Sequence, residues 1–133
     1  MNPLSSDLAP APPGRVLLVE DDPDGALFLT QVLARRGGLD VTHVPDPATA
    51  LDMVARQAWD VVVTDYDLPR MTGADLVAAL RGADPALSVV LVSARDMVPA
   101  TSGDHHPDAH LAKPVPAAEL LATVQSLIAR KRH

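Results

Sequence analysis

Hydrophobic residues in this chain fall into short dense runs, separated by stretches where apolar positions recur every three or four residues. The dense runs are Val16–Val19, Val41–Val44, Val61–Val63, Val89–Val92 and Leu111-Ala112. Their valine-rich make-up predicts strands, the second being the weakest. The unbroken Val61-Val62-Val63 predicts burial on both faces. Between the runs the spacing predicts helices. Phe28, Leu29, Val32 and Leu33 share one helical face, which Gly37-Gly38 ends. Asp22-Pro23 and Asp46-Pro47 each place a cap before a first-turn proline. Leu76, Val77 and Leu80 mark a helix over Gly73–Arg81. After Pro116, Leu120, Leu121, Val124, Leu127 and Ile128 form a wide apolar stripe. Strands alternating with helices predict right-handed βαβ units and an open parallel sheet.

Two stretches break this rhythm. Residues 1–13 hold Pro3, Pro10, Pro12 and Pro13 among small residues and read as a disordered or extended tail, leaving 14–133 as one domain. Between Ser93 and Lys113 a fourth crossover helix is due, yet 95–108 contains Pro99, Ser102, Gly103 and Pro107. Only Asp96–Thr101 has room for a turn or two, so a short, irregular or mobile connection is predicted.

Composition narrows the picture. A chain of 133 residues, 47% of them hydrophobic, can bury a real core, and with 2% aromatics that core must be Val, Leu and Ala. A formal charge of −6 argues against a general nucleic-acid binder. The absence of cysteine excludes disulfides and thiol chemistry. No run is long enough for a membrane span and no signal-peptide pattern opens the chain, so a soluble cytoplasmic protein is expected.

The candidate chemistry lies where the runs stop. Arg15–Val19 leads into Glu20, Asp21 and Asp22; Asp60–Thr64 into Asp65; Ser88–Val92 into Ser93; Ala109–Ala112 into Lys113-Pro114. A parallel sheet binds ligands outside the carboxyl ends of its strands, so these groups should converge. Asp65, between a buried strand and a Pro/Gly loop, is expected to be exposed enough to attack phosphorus and form an acyl phosphate. Crowded carboxylates repel unless a cation sits between them. Oxygen ligands from few protein groups suit Mg²⁺. Asp22 is better read as the helix cap. Lys113 is one of two lysines in the chain, the other being Lys131. Singly, Asp65 is an ordinary loop cap and Ser93 an ordinary strand-end serine. The set is far more specific than any member.

The motifs VLLVEDD, VVVTDYDLPRMTG, VVLVSA and HLAKPV, in this order, resemble the receiver domain of two-component response regulators over about Arg15 to Arg130. The resemblance implies a flavodoxin-like, doubly wound five-stranded parallel α/β sheet of order 2-1-3-4-5. It implies that Asp65 accepts phosphate from a phosphohistidine on a sensor histidine kinase or histidine phosphotransfer protein. Asp21 and Asp65 would bind Mg²⁺ directly, Glu20 through water, and the main-chain carbonyl of Asp67 would complete the protein ligands. Ser93 and Lys113 would contact phosphoryl oxygens, and the Lys113-Pro114 peptide would be cis.

Some positions depart from the family pattern. Where the family usually has Tyr or Phe, three residues before the lysine, this chain has His110. Its inward packing is expected to be weaker or pH-sensitive, or the position has no switching role. Asp67 and Arg95 stand where, in the family that the chain resembles, residues tune dephosphorylation; here they are expected either to pair across the mouth or to be two solvated loop charges. The irregular 95–108 stretch implies a remodelled output face. His105, His106 and His110 with Asp104 and Asp108 look like a metal cluster on paper, but Pro107 breaks the helix that would align them, and no zinc site is expected. Arg130-Lys131-Arg132 reads as a complement to the last helix dipole and an aid to solubility.

The leading expectation is a stand-alone, single-domain response regulator, a phosphoacceptor rather than a turnover enzyme. It would be a monomer or weak dimer that signals through protein contacts, without nucleic acid or membrane. One alternative is a receiver-like docking module that works without phosphorylation. Another is a haloacid-dehalogenase-like phosphatase, suggested by the Asp-x-Asp of Asp65-Tyr66-Asp67.

Overall fold

A computed structural model describes residues 12–94 and 106–132. β1 is Arg15–Val19. The helix that follows, α1, is α-helical over Pro23–Thr30 and π-helical over Gln31–Arg36. Then come β2 (Asp40–Val44), α2 (Pro47–Arg56), β3 (Val61–Asp65), α3 (Gly73–Ala83), β4 (Ser88–Ala94), β5 (Ala109–Lys113) and α4 (Ala117–Lys131). The five strands form one parallel sheet in the order β2-β1-β3-β4-β5. This is the open parallel sheet that the alternation of strands and helices predicts, in the doubly wound, flavodoxin-like order that the resemblance implies. The tail before Pro12, and residues 95–105 of the irregular connection predicted over 95–108, lie outside the described residues.

Successive side chains of a strand point to opposite faces, and the core divides accordingly. Val16 and Leu18 of β1, Val61 and Val63 of β3, and Val90 and Val92 of β4 pack against Leu29, Leu33, Leu120, Val124 and Ile128 of α1 and α4. Leu17 and Val19, with Val62 and Val89, pack against Ala50, Val54, Leu76, Val77 and Leu80 of α2 and α3. Every residue of β3 is buried, as its unbroken valines imply. Truncating one such side chain, Leu18→Ala for instance, should cost about 2–5 kcal/mol.

The helix starts follow their sequence signals. Asp22 accepts a hydrogen bond from the Gly25 N–H at 3.0 Å, and Asp46 from the Thr49 N–H at 2.8 Å. At α3 the Thr72 hydroxyl accepts from Asp75 N–H at 3.1 Å while the Asp75 carboxylate accepts from Thr72 N–H at 3.3 Å. α1 ends at Gly37, where an added Cβ would lie 2.5 Å from Leu121 Cδ1 and 2.7 Å from the Leu33 carbonyl. Gly38 follows with φ +66°, a conformation glycine adopts without strain. The π-helical stretch has no sequence signal that we recognise; its wider turn buries Val32 and Leu33 side by side.

Two polar networks tie the elements together. Asp108, just before β5, accepts from Val89 N–H and from Arg81 of α3, and pairs with Arg130 of α4 at 3.5 Å. Arg81 also donates to the carbonyls of Leu87 and His106. At the amino end of the sheet, Arg15 lies over the Trp59 ring at 4.5 Å, and Lys131 donates to the Trp59 carbonyl at 2.8 Å. Arg132 donates to the Pro12 carbonyl and faces Asp60 at 3.8 Å. The basic end of the chain therefore does more than complement a helix dipole: each of its three cations has a partner elsewhere in the fold.

Candidate functional site

The parallel register brings the carboxyl ends of β1, β3, β4 and β5 to one edge of the sheet. Glu20 follows β1 and is 2% exposed; Asp65 closes β3 and is 6% exposed. Asp21, next to Glu20, is exposed. One carboxylate oxygen from each of Glu20, Asp21 and Asp65 lies within 4.8 Å of the others, the one such acidic or histidine group among the described residues. Hence the paper cluster around His106, His110 and Asp108 does not form there; Asp108 is spent on its arginines. His105 and Asp104 lie outside the described residues.

Asp65 is more enclosed than its place at a loop junction suggests. Lys113 Nζ lies across it, 2.8 Å from Oδ1, and the Tyr66 N–H donates to the same oxygen at 3.0 Å. Among the described residues Oδ2 accepts no hydrogen bond. The backbone beyond Asp65 is held tightly: Gly73 N–H donates to the Tyr66 carbonyl at 2.6 Å, and a Cβ on Gly73 would sit 2.8 Å from the Asp65 carbonyl. Asp67 is exposed and its backbone bridges to Thr72. The Lys113-Pro114 peptide is cis.

Electrostatics bear the marks of crowding. Burial pushes the Glu20 carboxyl up to about 7; the hydrogen bond from Asp22 N–H and the nearby Lys113 oppose this, while Asp65 and Asp21 add to it. Lys113 Nζ is 3.9 Å from Glu20 Oε1. Burial pulls Lys113 down, but its hydrogen bond to Asp65 and the charges of Asp65, Glu20 and Asp67 outweigh burial and raise it above the ordinary lysine value. Three carboxylates share a single ammonium. A small divalent cation with oxygen preference would neutralise the excess, so these residues fit Mg²⁺.

Ser93, buried at the end of β4, exchanges a hydrogen bond with His110 Nε2 across the β4–β5 pair. His110 is exposed on β5, with its ring turned to that hydroxyl. Arg95, and with it the pairing imagined for Arg95 and Asp67, lies outside the described residues. Asp22 is the α1 cap, as read. Two residues escaped the sequence reading. A Cβ on Gly25 would lie 3.1 Å from Glu20 Oε1 and 3.2 Å from Asp22 Oδ2, so the first turn of α1 is cut close to the acidic loop. His43 of β2 reaches the Glu20 carbonyl. Neither carries a local pattern that marks it.

Beside the acidic group opens a cleft of about 760 Å³, lined by Glu20, Lys113, Phe28, Leu29, Val92 and Val115 among others. No helix among the described residues is long and apolar enough to cross a membrane.

Comparison with known proteins agrees with this geometry. The family model of the response regulator receiver domain matches residues 16–125. The transcriptional regulatory protein PrrA of Mycobacterium tuberculosis is 35% identical over 119 residues, covering 88% of this chain and 51% of that protein. The DNA-binding response regulator MtrA of Mycolicibacterium smegmatis is 36% identical over 118 residues, covering 87% and 51%. The chain thus spans about half the length of the curated relatives it matches. Among solved structures, a sensor protein from Polaromonas sp. JS666 superposes with a TM-score of 0.81 at 32% identity, covering 90% of this chain and 99% of that one. The receiver domain of a sensor histidine kinase from Pseudomonas aeruginosa PAO1, solved with magnesium coordinated in its active-site cleft, gives 0.77 at 27% identity, covering 89% and 99%. Fold, sequence relatives and family model coincide over the same stretch, and the chain belongs to the response regulator receiver domains of two-component signalling.

Proposed function

We propose that this receiver is a phosphorylatable switch in which Asp65 takes a phosphoryl group from a phosphohistidine, with Mg²⁺ required. The observation that carries this reading is the convergence of Glu20, Asp21 and Asp65 oxygens within 4.8 Å, with Lys113 Nζ 2.8 Å from Asp65. Lys113 and Tyr66 N–H occupy Oδ1, which leaves Oδ2 as the attacking oxygen. An O–P bond forms to Oδ2 as the N–P bond of the donor breaks, and the departing imidazole keeps the electron pair and takes up a proton. Glu20, Asp21, Asp65 and the main-chain carbonyl of Asp67 would hold Mg²⁺, which supplies neutralisation of phosphoryl charge. The Lys113 ammonium and the Ser93 hydroxyl act on phosphoryl oxygens, and for Ser93 this means exchanging its His110 partner for the new one.

The donor is a sensor histidine kinase or a histidine phosphotransfer protein. Leu27 and Phe28 are the large apolar side chains that α1 leaves exposed, and Phe28 also lines the cleft beside the site, an apolar edge for such a partner to cover. Output runs through protein contacts. MtrA is named as DNA-binding, but the net charge of −6 here disfavours this unit as the part that holds DNA.

The test is incubation with Mg²⁺ and a small phosphoramidate, read by intact mass. A gain of one phosphoryl group that needs Mg²⁺ and is lost in Asp65→Ala is the expected result. A folded protein that gains nothing would support a receiver that docks partners without phosphorylation.

A further inference from the structure

Glu20 is held from three sides, and one of the three is a side chain from the neighbouring edge strand, β2. Its N–H donates to the Val44 carbonyl at 3.1 Å, continuing the β1–β2 ladder one residue past Val19. Its carboxylate accepts from the Asp22 N–H at 3.2 Å. Its main-chain carbonyl lies 2.7 Å from His43 Nε2. The reason is local to β2. The strand stops at Val44, Pro45 has no N–H to offer, and Asp46 turns away to cap α2. Where the backbone ladder runs out, the imidazole reaches across and supplies the next donor. A carbonyl only accepts, so Nε2 carries the hydrogen.

We propose that His43 is a positioning residue for the acidic loop: by gripping the Glu20 carbonyl it fixes the peptide that joins Glu20 to Asp21, and so the spacing of the cation-binding carboxylates. The inference deepens the reading of the site given above and rests on it for the identity of the ion. The grip matters because the loop has to hold like charges close together. Glu20 is buried and Asp21 exposed, with a single peptide between them, and rotation of that peptide would part their carboxylates. Gly25 lets the first turn of α1 lie close to the same group, since a Cβ there would sit 3.1 Å from Glu20 Oε1. Groups that orient metal ligands from outside are typically worth about ten-fold or more in affinity. His43 sits on an edge strand with its ring exposed, so its removal should not cost the fold.

Three variants separate positioning from bulk. His43→Gln keeps an N–H donor at similar reach, His43→Leu keeps volume without a donor, and His43→Ala keeps neither. Mg²⁺ affinity is measured by calorimetry with no phosphodonor present, and amide hydrogen exchange at Asp21 and Asp22 is followed in Mg²⁺-free protein. Expected are an affinity about ten-fold weaker and faster exchange in the Leu and Ala variants, with Gln close to wild type. With phosphoramidate, labelling by the Leu variant should need about ten-fold more Mg²⁺ yet reach the wild-type rate at saturation. Leu and Gln variants that bind Mg²⁺ alike, or an Ala variant that binds as wild type does, would overturn the proposal. Wild type that binds Mg²⁺ but is never labelled would instead sink the phosphorylation reading, and the calorimetry would still decide the role of His43.

Discussion

Arg70 is the single non-glycine residue at positive φ among the described residues, at +74°, in the loop between β3 and α3. Side chains larger than glycine resist that conformation by roughly 1–2 kcal/mol, asparagine least among them. Arg70→Asn should therefore raise the free energy of unfolding by about 0.5 kcal/mol, read from the urea midpoint at unchanged slope. At Asp46 the prediction concerns pH. The Thr49 N–H, then the Thr49 hydroxyl, hold its carboxyl below the ordinary value of 3.8, with Arg70 adding a smaller pull. A depressed acid stabilises the fold above its unfolded value and loses that contribution as pH falls through the folded one. The difference in melting temperature between wild type and Asp46→Ala should hold steady through neutral and mildly acidic pH, then shrink below about pH 3.8. A difference that grew with acid would mean Thr49 binds the protonated form instead. At this scale the sequence was legible wherever a residue ended a run: Glu20, Asp65, Ser93 and Lys113 all lie at the carboxyl edge of the sheet. It was opaque for His43, because a lone histidine on a strand signals nothing until the strand beside it is known.

Helices and strands were legible for a related reason. Valine runs and caps followed by proline are short-range signals, and Asp22 and Asp46 act at the positions their sequence contexts predict. The Thr72 capping box closes the loop that leaves Asp65 and starts α3. Removing its hydroxyl in Thr72→Ala should cost about 1 kcal/mol in chemical denaturation, whereas Thr72→Ser should cost little. Long-range pairing was not legible. Arg81 and Asp108 are 27 positions apart, and only the parallel pairing of β4 with β5 brings them within 2.9 Å. β5 keeps the start of the run that the sequence places at Ala109, and Asp108 anchors that start to Val89 from both its N–H and its carboxylate. The π-helical turn in α1 likewise depends on packing, with Gly37 pressed against Leu33 and Leu121.

For the whole molecule, topology separates chemistry from anchorage. The acidic group, Ser93 and Lys113 lie at one end of the sheet, while Arg15, Trp59, Asp60 and Lys131 bind the chain together at the other. β3 runs between the two ends, and it gives the protein a built-in optical ruler. The chain has one tryptophan and one tyrosine. Trp59 stands just before β3, buried, its indole N–H donating to the Met53 carbonyl at 3.1 Å. Tyr66 stands just after it, beside Asp65. Six residues, five of them β3, lie between the two, which places their backbones about 20 Å apart. Indole emission should therefore shift on unfolding in urea yet stay constant when Mg²⁺ or a phosphoramidate is added, while Tyr66 ring resonances move at those additions. If the indole responded too, the chemistry at Asp65 would be travelling the length of the central strand, and the far end of the sheet would be part of the switch.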